Sequence, residues 1–193
     1  MSETDSFDNV PAGAPPAGWT AGATGSISTK WSVKEDPTAP SRQNVLNQSG
    51  SAVFAWCVKK DVHIEDGHVE VKVKPIAGRE DQAGGVIFRW KNSGNYYVAR
   101  VNALEQNLGL FYMEDGLRHL IKYAHATVEK GKWAVLGASF SGKTITVTLD
   151  GKEYLRVEDE SIKGPGAVGV WTKADSATSF DDFTYDAIAP QGK

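Results

Sequence analysis

The sequence predicts an all-β protein, a single-domain antiparallel β-sandwich over residues 1–193 with its core at about residues 5–188. From residue 52 onward, apolar residues recur mostly at every second position, in runs rich in Val, Ile, Phe, Tyr and Thr. This period of two is typical of strands that bury one face. No sustained 3.6-residue apolar repeat occurs in that region, so long helices are not expected. A length of 193 residues suits one domain of this class.

Short strands alternate with turn residues along the chain. The predicted strands are residues 52–59, 68–75, 85–91, 96–102, 108–113, 117–124, 133–140, 144–149, 152–157, 167–172 and 179–185. Residues that tolerate the positive φ angles of tight hairpins separate several of them, at 92–95, 115–116, 141–143 and 150–151. Each such turn predicts a pair of antiparallel neighbours. Residues 11–29 and 37–41 are rich in Pro, Gly, Ala, Ser and Thr, and we expect ordered loops there.

The inward-facing positions of these strands predict the core. They are Val86, Phe88, Leu110, Leu136, Ile145, Val147, Leu149 and Phe183. Cys57, the only cysteine, lies among apolar neighbours, which favours a buried small hydrophobe over a reactive thiol. A single cysteine also excludes an internal disulfide.

Composition argues against two classes of partner. The chain has 21 basic and 24 acidic residues, a formal charge of −3 and no basic block, so we expect no nucleic-acid binding. No run approaches the roughly 20 apolar residues of a membrane-spanning helix, so we expect no membrane insertion. The polar, acidic residues 1–8 do not resemble a signal peptide.

Motifs for catalysis and for transition metals are missing from the sequence. β-Sandwich glycosidases use a pair of carboxylates, and laminarinase-like enzymes carry theirs in a Glu-x-Asp-x-x-Glu run. No such run occurs here; Glu65 and Asp66 fall in a predicted turn, and residues 158–160 form an acidic loop after a strand. The histidines have no neighbours that would complete a metal-ligand motif. They are His63, His68, His119 and His125.

Aromatic and arginine side chains are the better candidates for a binding site. Alternation sends roughly half of the strand aromatics away from the core, where they can stack on sugar rings, although most can also simply fill a large core. The aromatics in question are Trp56, Trp90, Tyr96, Tyr97, Phe111, Tyr112, Trp133 and Trp171. Strand parity places Arg89 outward and puts Arg100 on the face of Tyr96. Two outward arginines on neighbouring strands predict either a bound polar or anionic ligand or pairing with surface carboxylates.

Several motifs resemble those of a known superfamily. Residues 7–8, 16–19, 31–33 and 45–48 resemble the opening of the concanavalin A-like lectin/glucanase superfamily. A second set of motifs resembles the laminin G-like jelly-roll branch of this superfamily, which stands near the 3-keto-disaccharide hydrolase-like family. These motifs are residues 84–90, 95–100, 169–175 and 180–183. The matches span nearly the whole chain. The glucanase catalytic run is missing, and the closing Phe-Asp-Asp-Phe differs from the ending typical of the keto-sugar hydrolases.

The resemblance implies two packed antiparallel sheets, paired terminal strands and a concave outer face that receives carbohydrate. We expect non-catalytic binding of a polysaccharide or oligosaccharide, with contacts from Arg89, Tyr96, Arg100, Phe111 and Trp171. Two alternatives stay open: a glycoside hydrolase acting on a (3-keto-)disaccharide or related glycan, and an extracellular protein-interaction module. The resemblance favours a secreted or periplasmic location. The residues set no expectation for the oligomeric state.

The resemblance also implies a structural calcium that ties the terminal strands together on the convex side. Asp181 aligns with the family's ligand, and the backbone near Asp8 would complete the oxygen shell. The alternative is that Asp181 and Asp182 cap a strand at the surface. No other cofactor is expected.

Overall fold

The computed structural model describes residues 1–25 and 28–188, so residues 26–27 of the predicted first loop and residues 189–193 of the predicted domain lie outside the described residues. Every regular element in the described part is a β-strand, and no helix there is long and apolar enough to cross a membrane. The strands are β1 Glu3–Asp5, β2 Thr20–Thr24, β3 Lys30–Glu35, β4 Asn44–Ser49, β5 Ala52–Ile64, β6 Gly67–Ala77, β7 Ala83–Asn92, β8 Asn95–Asn102, β9 Asn107–Glu114, β10 Leu117–His125, β11 Ala134–Ser141, β12 Thr144–Leu149, β13 Lys152–Glu158, β14 Gly166–Ala174 and β15 Ala177–Ala187.

Two antiparallel sheets form a sandwich, which confirms the predicted fold class. Sheet A has the order β13-β12-β11-β6-β15-β4-β3, and β1 pairs with β15 at Glu3 and Tyr185. The predicted pairing of the terminal strands is therefore confirmed. Sheet B has the order β10-β9-β8-β7-β14-β5-β2.

All eleven predicted strands are confirmed, and tight turns set their register. Asp115 and Gly116 have φ angles of 50° and 82°, and Asp150 and Gly151 have 50° and 79°. Two consecutive positive φ angles define a turn whose twist matches the right-handed twist of a hairpin. These turns join β9 to β10 and β12 to β13.

No residue range before position 52 is predicted as a strand, although the resemblance implies a first strand that pairs with the last. Strand β2 lies inside the predicted loop of residues 11–29; its sequence, TAGAT, offers only alanines and threonines to packing. Strand β4 alternates poorly because Asn47 and Gln48 are buried polar residues. Asn47 donates a hydrogen bond to the Thr178 carbonyl, and Gln48 donates one to the Ser176 carbonyl. These partners come from distant sequence, so no local pattern announces the strand.

Apolar side chains of both sheets form the core between them. All eight residues predicted for the core belong to this cluster and are buried. Phe88 of sheet B stacks on Phe140 of sheet A, with 4.7 Å between ring centroids. Cys57 is buried in the same cluster, and burial raises the pKa of its thiol. Burial of each large side chain in such a core stabilises the fold by about 1.5–3 kcal/mol.

Candidate functional site

A second apolar layer covers the outer face of sheet B, on the side away from the core. Strand register aligns one row across the sheet: Trp56, Trp171, Gly85, Arg100, Gly109 and Tyr123. This row combines two adjacent tryptophans with an arginine that has a glycine on each side. The layer also contains Phe54, Ile87, Trp90, Tyr96, Val98, Phe111 and Met113.

The position of Arg118 shows that sheet B is strongly curved. Arg118 lies on edge strand β10, and Phe54 lies on β5, with four strands between them. A flat sheet would separate these strands by roughly 24 Å, at about 4.8 Å per strand. The Arg118 guanidinium carbon nevertheless lies 5.9 Å from the Phe54 ring and 4.5 Å from the Phe111 ring. The outer face of sheet B is therefore concave, and we call it the concave face.

Glycines let the aromatic side chains lie close to the sheet. A methyl group on Gly22 would come within 2.2 Å of the Trp56 ring, and one on Gly109 within 2.7 Å of the Phe111 ring. Both distances are far below van der Waals contact. These rings therefore lie over the glycines of their own or a neighbouring strand, which explains how an outer layer becomes as tightly packed as a core.

Three of the predicted site residues lie on the concave face but inside this layer. Tyr96, Phe111 and Trp171 are each no more than 1% exposed. The Trp171 indole N–H donates a hydrogen bond to the Tyr96 hydroxyl at 3.2 Å, and Trp171 stacks on Phe54. Burial raises the pKa of the Tyr96 hydroxyl. These residues form a closed floor, and direct ligand contact by them stays a prediction.

Arg100 also lies on the concave face, with its charge already balanced. Its guanidinium donates hydrogen bonds to Asn107 at 2.5 Å and to Glu105 at 3.0 Å. Burial works to raise the pKa of the Glu105 carboxyl, but Arg100 and Asn107 outweigh it and hold that pKa below its usual value. Of the two possibilities that the sequence left open for Arg100, the structure shows pairing with a carboxylate, that of Glu105.

The predicted placement of Arg89 is wrong. A β-bulge shifts the register of β7 after Phe88, and Arg89 itself has a φ angle of 48°. The extra residue reverses the alternation, so Arg89 turns to the core side. Its guanidinium lies 5.6 Å from the Phe140 ring and donates to the carbonyls of Glu65 and Gly142. The bulge sends Trp90 to the concave face in its place.

An open cleft of about 430 Å³ lies at the end of the concave face where β7 and β5 approach each other. Trp56 and Trp90 line it with their ring centroids 4.8 Å apart, and Trp90 stacks on Tyr96. The remaining lining residues are polar, basic or small: Lys60, His63, Lys91, Asn92, Ser93 and Ala167. We call this the indole cleft. Trp56 is 9% exposed and Trp90 is 5% exposed, so only an edge of each indole opens into the cleft.

Trp56 and Trp90 belong to the strand aromatics named from the sequence, but they are not among the five residues predicted to contact the ligand. Parity assigns Trp90 to the core side of its strand, and only the bulge at Arg89 corrects this. The positive φ angle of a bulged arginine leaves no mark on the sequence. The sequence gives only a weak indication that Lys60 and Lys91 belong to a site. Lys60 directly follows the predicted strand 52–59, and Lys91 is the last residue of the predicted strand 85–91.

The predicted calcium ligand lies where the terminal strands meet. Asp181 is fully buried and accepts hydrogen bonds from the backbone amides of Ser41, at 2.8 Å, and Asp182, at 2.7 Å. The Ser41 hydroxyl donates to the Asp8 carboxylate at 3.0 Å and lies 3.4 Å from the Ser6 carbonyl. Burial raises the pKa of the Asp181 carboxyl. No group of three or more His, Cys, Asp or Glu side chains suited to a metal occurs within residues 1–25 and 28–188.

Comparison with known proteins identifies the fold. No protein-family model matches the chain, and no curated protein sequence matches it. A carbohydrate-binding module, CBM66 from Bacillus subtilis, superposes with a TM-score of 0.72 at 19% identity, covering 88% of this chain and 96% of the module. The cellulose-induced protein Cip1 gives 0.71 at 14% identity, covering 98% and 100%. A prokaryotic β-1,3-1,4-glucanase (lichenase) from a mouse hindgut metagenome gives 0.63 at 13%, covering 97% and 100%. The fold is thus the concanavalin A-like jelly roll that the resemblance implied.

Proposed function

We propose that this protein acts as one domain that binds a polysaccharide or oligosaccharide on its concave face without cleaving it. The observation that carries the proposal is the indole cleft, where Trp56 and Trp90 line an open space of about 430 Å³. Sugar rings have flat, weakly polar faces of C–H groups, and indole rings offer the large apolar area that such faces require. The polar rim supplies hydrogen-bonding groups that sugar hydroxyls can use.

The buried floor has a supporting role in this proposal. Tyr96 stacks on Trp90, and Trp171 donates a hydrogen bond to Tyr96, so the floor holds one wall of the indole cleft in a fixed orientation. A rigid aromatic wall loses little conformational entropy when a ligand binds. The predicted residues Tyr96, Arg100, Phe111 and Trp171 would then act mainly by positioning the indoles. Arg89, on the core side, would stabilise the loops at the end of the sandwich.

The similar structures support a carbohydrate ligand through what their names state. One is a carbohydrate-binding module and another is a lichenase, so this fold serves both binding and cleavage of glycans. Fold similarity by itself does not assign either activity. We favour binding because the sequence lacks the glucanase carboxylate run. We also propose a secreted or periplasmic location, where polysaccharide ligands occur.

A glycan array combined with turnover assays tests the proposal. We expect binding without product release, and Trp90→Ala should weaken it about tenfold or more, because a central tryptophan dominates such contacts. Trp133→Ala is the matched control, since Trp133 lies outside the cleft and donates to Thr38. Product release would favour the hydrolase alternative. Absence of both binding and turnover would favour the protein-interaction module.

We further propose a structural calcium at Asp181. The oxygens of Asp181, Asp8 and the Ser6 carbonyl gather around Ser41, and oxygen ligands are those that calcium prefers. In the described part of the chain, neither carboxylate forms a salt bridge, although Asp181 is buried. A cation bound beside these oxygens would balance the two carboxylate charges, in addition to the backbone amides of Ser41 and Asp182 that already donate to Asp181.

Chelation of the purified protein tests the calcium proposal. We expect excess chelator to lower the melting temperature, because a ligand that binds only the folded state stabilises it. Asp181→Asn should remove that sensitivity, and Asp150→Asn, in a hairpin turn, is the control. An unchanged melting curve together with no metal in elemental analysis would contradict the proposal.

A further inference from the structure

We infer that the ligand of the indole cleft is an anionic glycan whose sugar rings carry carboxylate groups. This inference rests on the proposed function and names the class of glycan. It comes from the unpaired basic side chains around the cleft, not from the two arginines that sequence parity had suggested.

The charge around the cleft differs from that of the protein as a whole. The chain has a formal charge of −3, yet Lys60 and Lys91 line the cleft together with His63, and no Asp or Glu is among the described lining residues. Basic groups gathered in a cleft raise the local concentration of anionic ligands. The lining of the indole cleft is therefore basic within a negatively charged protein, which favours an anionic ligand.

The cleft lysines also lack the partners that other lysines have. On the outer face of sheet A, Lys72 forms a salt bridge with Asp182, at 2.5 Å, and Lys74 forms one with Asp36, at 2.5 Å. Within the described residues, neither Lys60 nor Lys91 has a carboxylate within salt-bridge distance. Their charges are thus available to a ligand.

The lysine positions suit a sugar that stacks on the indoles. The Lys60 ammonium lies over the Trp56 ring, 6.0 Å from its centroid, so its charge is at the indole itself. The Lys91 ammonium donates a hydrogen bond to the Pro165 carbonyl, which holds this exposed side chain at the rim. Burial and the nearby Arg89 lower the pKa of Lys91, and Glu65 acts in the opposite direction.

A carboxylated sugar satisfies these features together. The carboxylate of a uronic acid projects from the edge of the ring, so both ring faces stay free to stack. A ring lying on Trp56 or Trp90 would direct that carboxylate toward the rim, where Lys60 and Lys91 can donate charge-assisted hydrogen bonds. A neutral sugar would leave these charges unused. Along the same face, Arg118 also forms no salt bridge within the described residues and would extend the positive track.

Titration calorimetry with matched glycans tests the inference. The probes are polygalacturonate, alginate and hyaluronate, each compared with its carboxyl-reduced, neutral form, at low and high salt. We expect at least one carboxylated form to bind about three- to tenfold more tightly than its reduced form, as expected for a few exposed ion pairs. That preference should fall at high salt, because exposed charges are screened.

Variants separate the charge from the stacking surface. Lys60→Gln/Lys91→Gln should remove the preference, so that the carboxylated and reduced forms bind equally, and Trp90→Ala should weaken binding of both forms. Lys30→Gln/Lys34→Gln, on β3 of sheet A, keeps the same net charge change away from the cleft and should leave the preference intact. Circular dichroism melting curves confirm that each variant is folded.

The outcomes distinguish the inference from the proposed function. Equal binding of both forms, or a preference that survives in Lys60→Gln/Lys91→Gln, would overturn the inference and leave glycan binding in place. A preference that Lys30→Gln/Lys34→Gln removes equally would overturn it as well, because net charge would then explain it. Failure of every glycan, charged or reduced, would overturn both.

Discussion

The two sheets of the sandwich turn very different outer faces away from their shared core. The outer face of sheet A follows the expected alternation: Thr144, Thr146 and Thr148 are half-buried, and lysine and aspartate side chains pair on it. The outer face of sheet B is apolar. Strand β8 is buried at every position from Tyr96 to Asn102, on both of its faces.

The outer face of sheet A is polar and is hydrated by solvent, whereas the outer face of sheet B is apolar and is shielded from solvent. An antiparallel sheet with one wet face alternates in polarity, as sheet A does. Sheet B instead buries its outer face by curvature and by large rings lying over glycines, and Arg118 closes its centre. The indole cleft is where this cover ends. The contrast between the faces therefore supports the proposed position of the binding region more strongly than any single aromatic residue does.

The largest test of the contrast compares Trp171→Ala with Thr146→Ala. Trp171 is fully buried on the concave face, so its truncation should cost about 3–5 kcal/mol in the free energy of unfolding. Thr146 lies on the outer face of sheet A, where a change should stay within about 0.5 kcal/mol. Urea denaturation measures both. A small loss for Trp171→Ala would mean that the concave face is an ordinary exposed surface.

Glycine substitutions test how closely the rings pack. In Gly22→Ala the new methyl group would meet the Trp56 ring at 2.2 Å, and we expect a loss of about 1–3 kcal/mol. It should also weaken glycan binding, because Trp56 lines the cleft. Gly137→Ala on sheet A is the control; its methyl would meet the Thr148 hydroxyl at 2.8 Å, and that side chain can rotate away. Equal losses in urea denaturation would argue against rigid ring packing.

Acid should weaken the outer face of sheet A selectively. Burial works to raise the pKa of Asp36, but hydrogen bonds from Lys74 and Thr38 outweigh it and lower that pKa to about 2. Since the folded-state pKa lies below the unfolded value, this stabilisation is present above about pH 4 and lost as the pH falls toward 2. Its size is about 2 kcal/mol.

Unfolding measured between pH 7 and pH 2 checks this expectation. Asp36→Asn should remove this part of the pH dependence, and the loss caused by Trp171→Ala should be the same at pH 7 and pH 3. The difference between the unaltered protein and Asp36→Asn isolates the Asp36 effect from that of every other titrating group. An unaltered acid slope in Asp36→Asn would contradict the assignment.

The smallest effect concerns the cover at the centre of the concave face. Arg118→Ala removes the guanidinium that lies 4.5 Å from the Phe111 ring, and we expect a loss of about 1 kcal/mol. Binding of a hydrophobic dye should increase as the rings become exposed. Arg156→Ala, in an exposed pair with Glu153 on sheet A, should change neither stability nor dye binding. Unchanged dye binding in Arg118→Ala would mean that the rings cover one another without it.

The strands after residue 52 were predictable because their signals are local. Alternation gave the inward positions of Val86 and Phe88, and the Asp-Gly pairs at 115–116 and 150–151 gave the hairpins. Strands β1, β2 and β4 lack such signals, because most of their side chains are polar or small, and β3 alternates at Trp31 and Val33 over only six residues. The site was less predictable: Tyr96, Phe111 and Trp171 were placed on the correct face, but their depth was not foreseen.

By itself, the sequence determined the fold class, the core and the pairing of most neighbouring strands, since periodicity and turn chemistry act over a few residues. Tertiary structure decided which aromatics of the concave face are fully buried and which have an exposed edge. The bulge at Arg89 exchanged Arg89 for Trp90 on the concave face, and the curvature of sheet B brought Arg118 over Phe54. Both features depend on contacts between strands far apart in the chain, and a pattern read along one strand does not contain them.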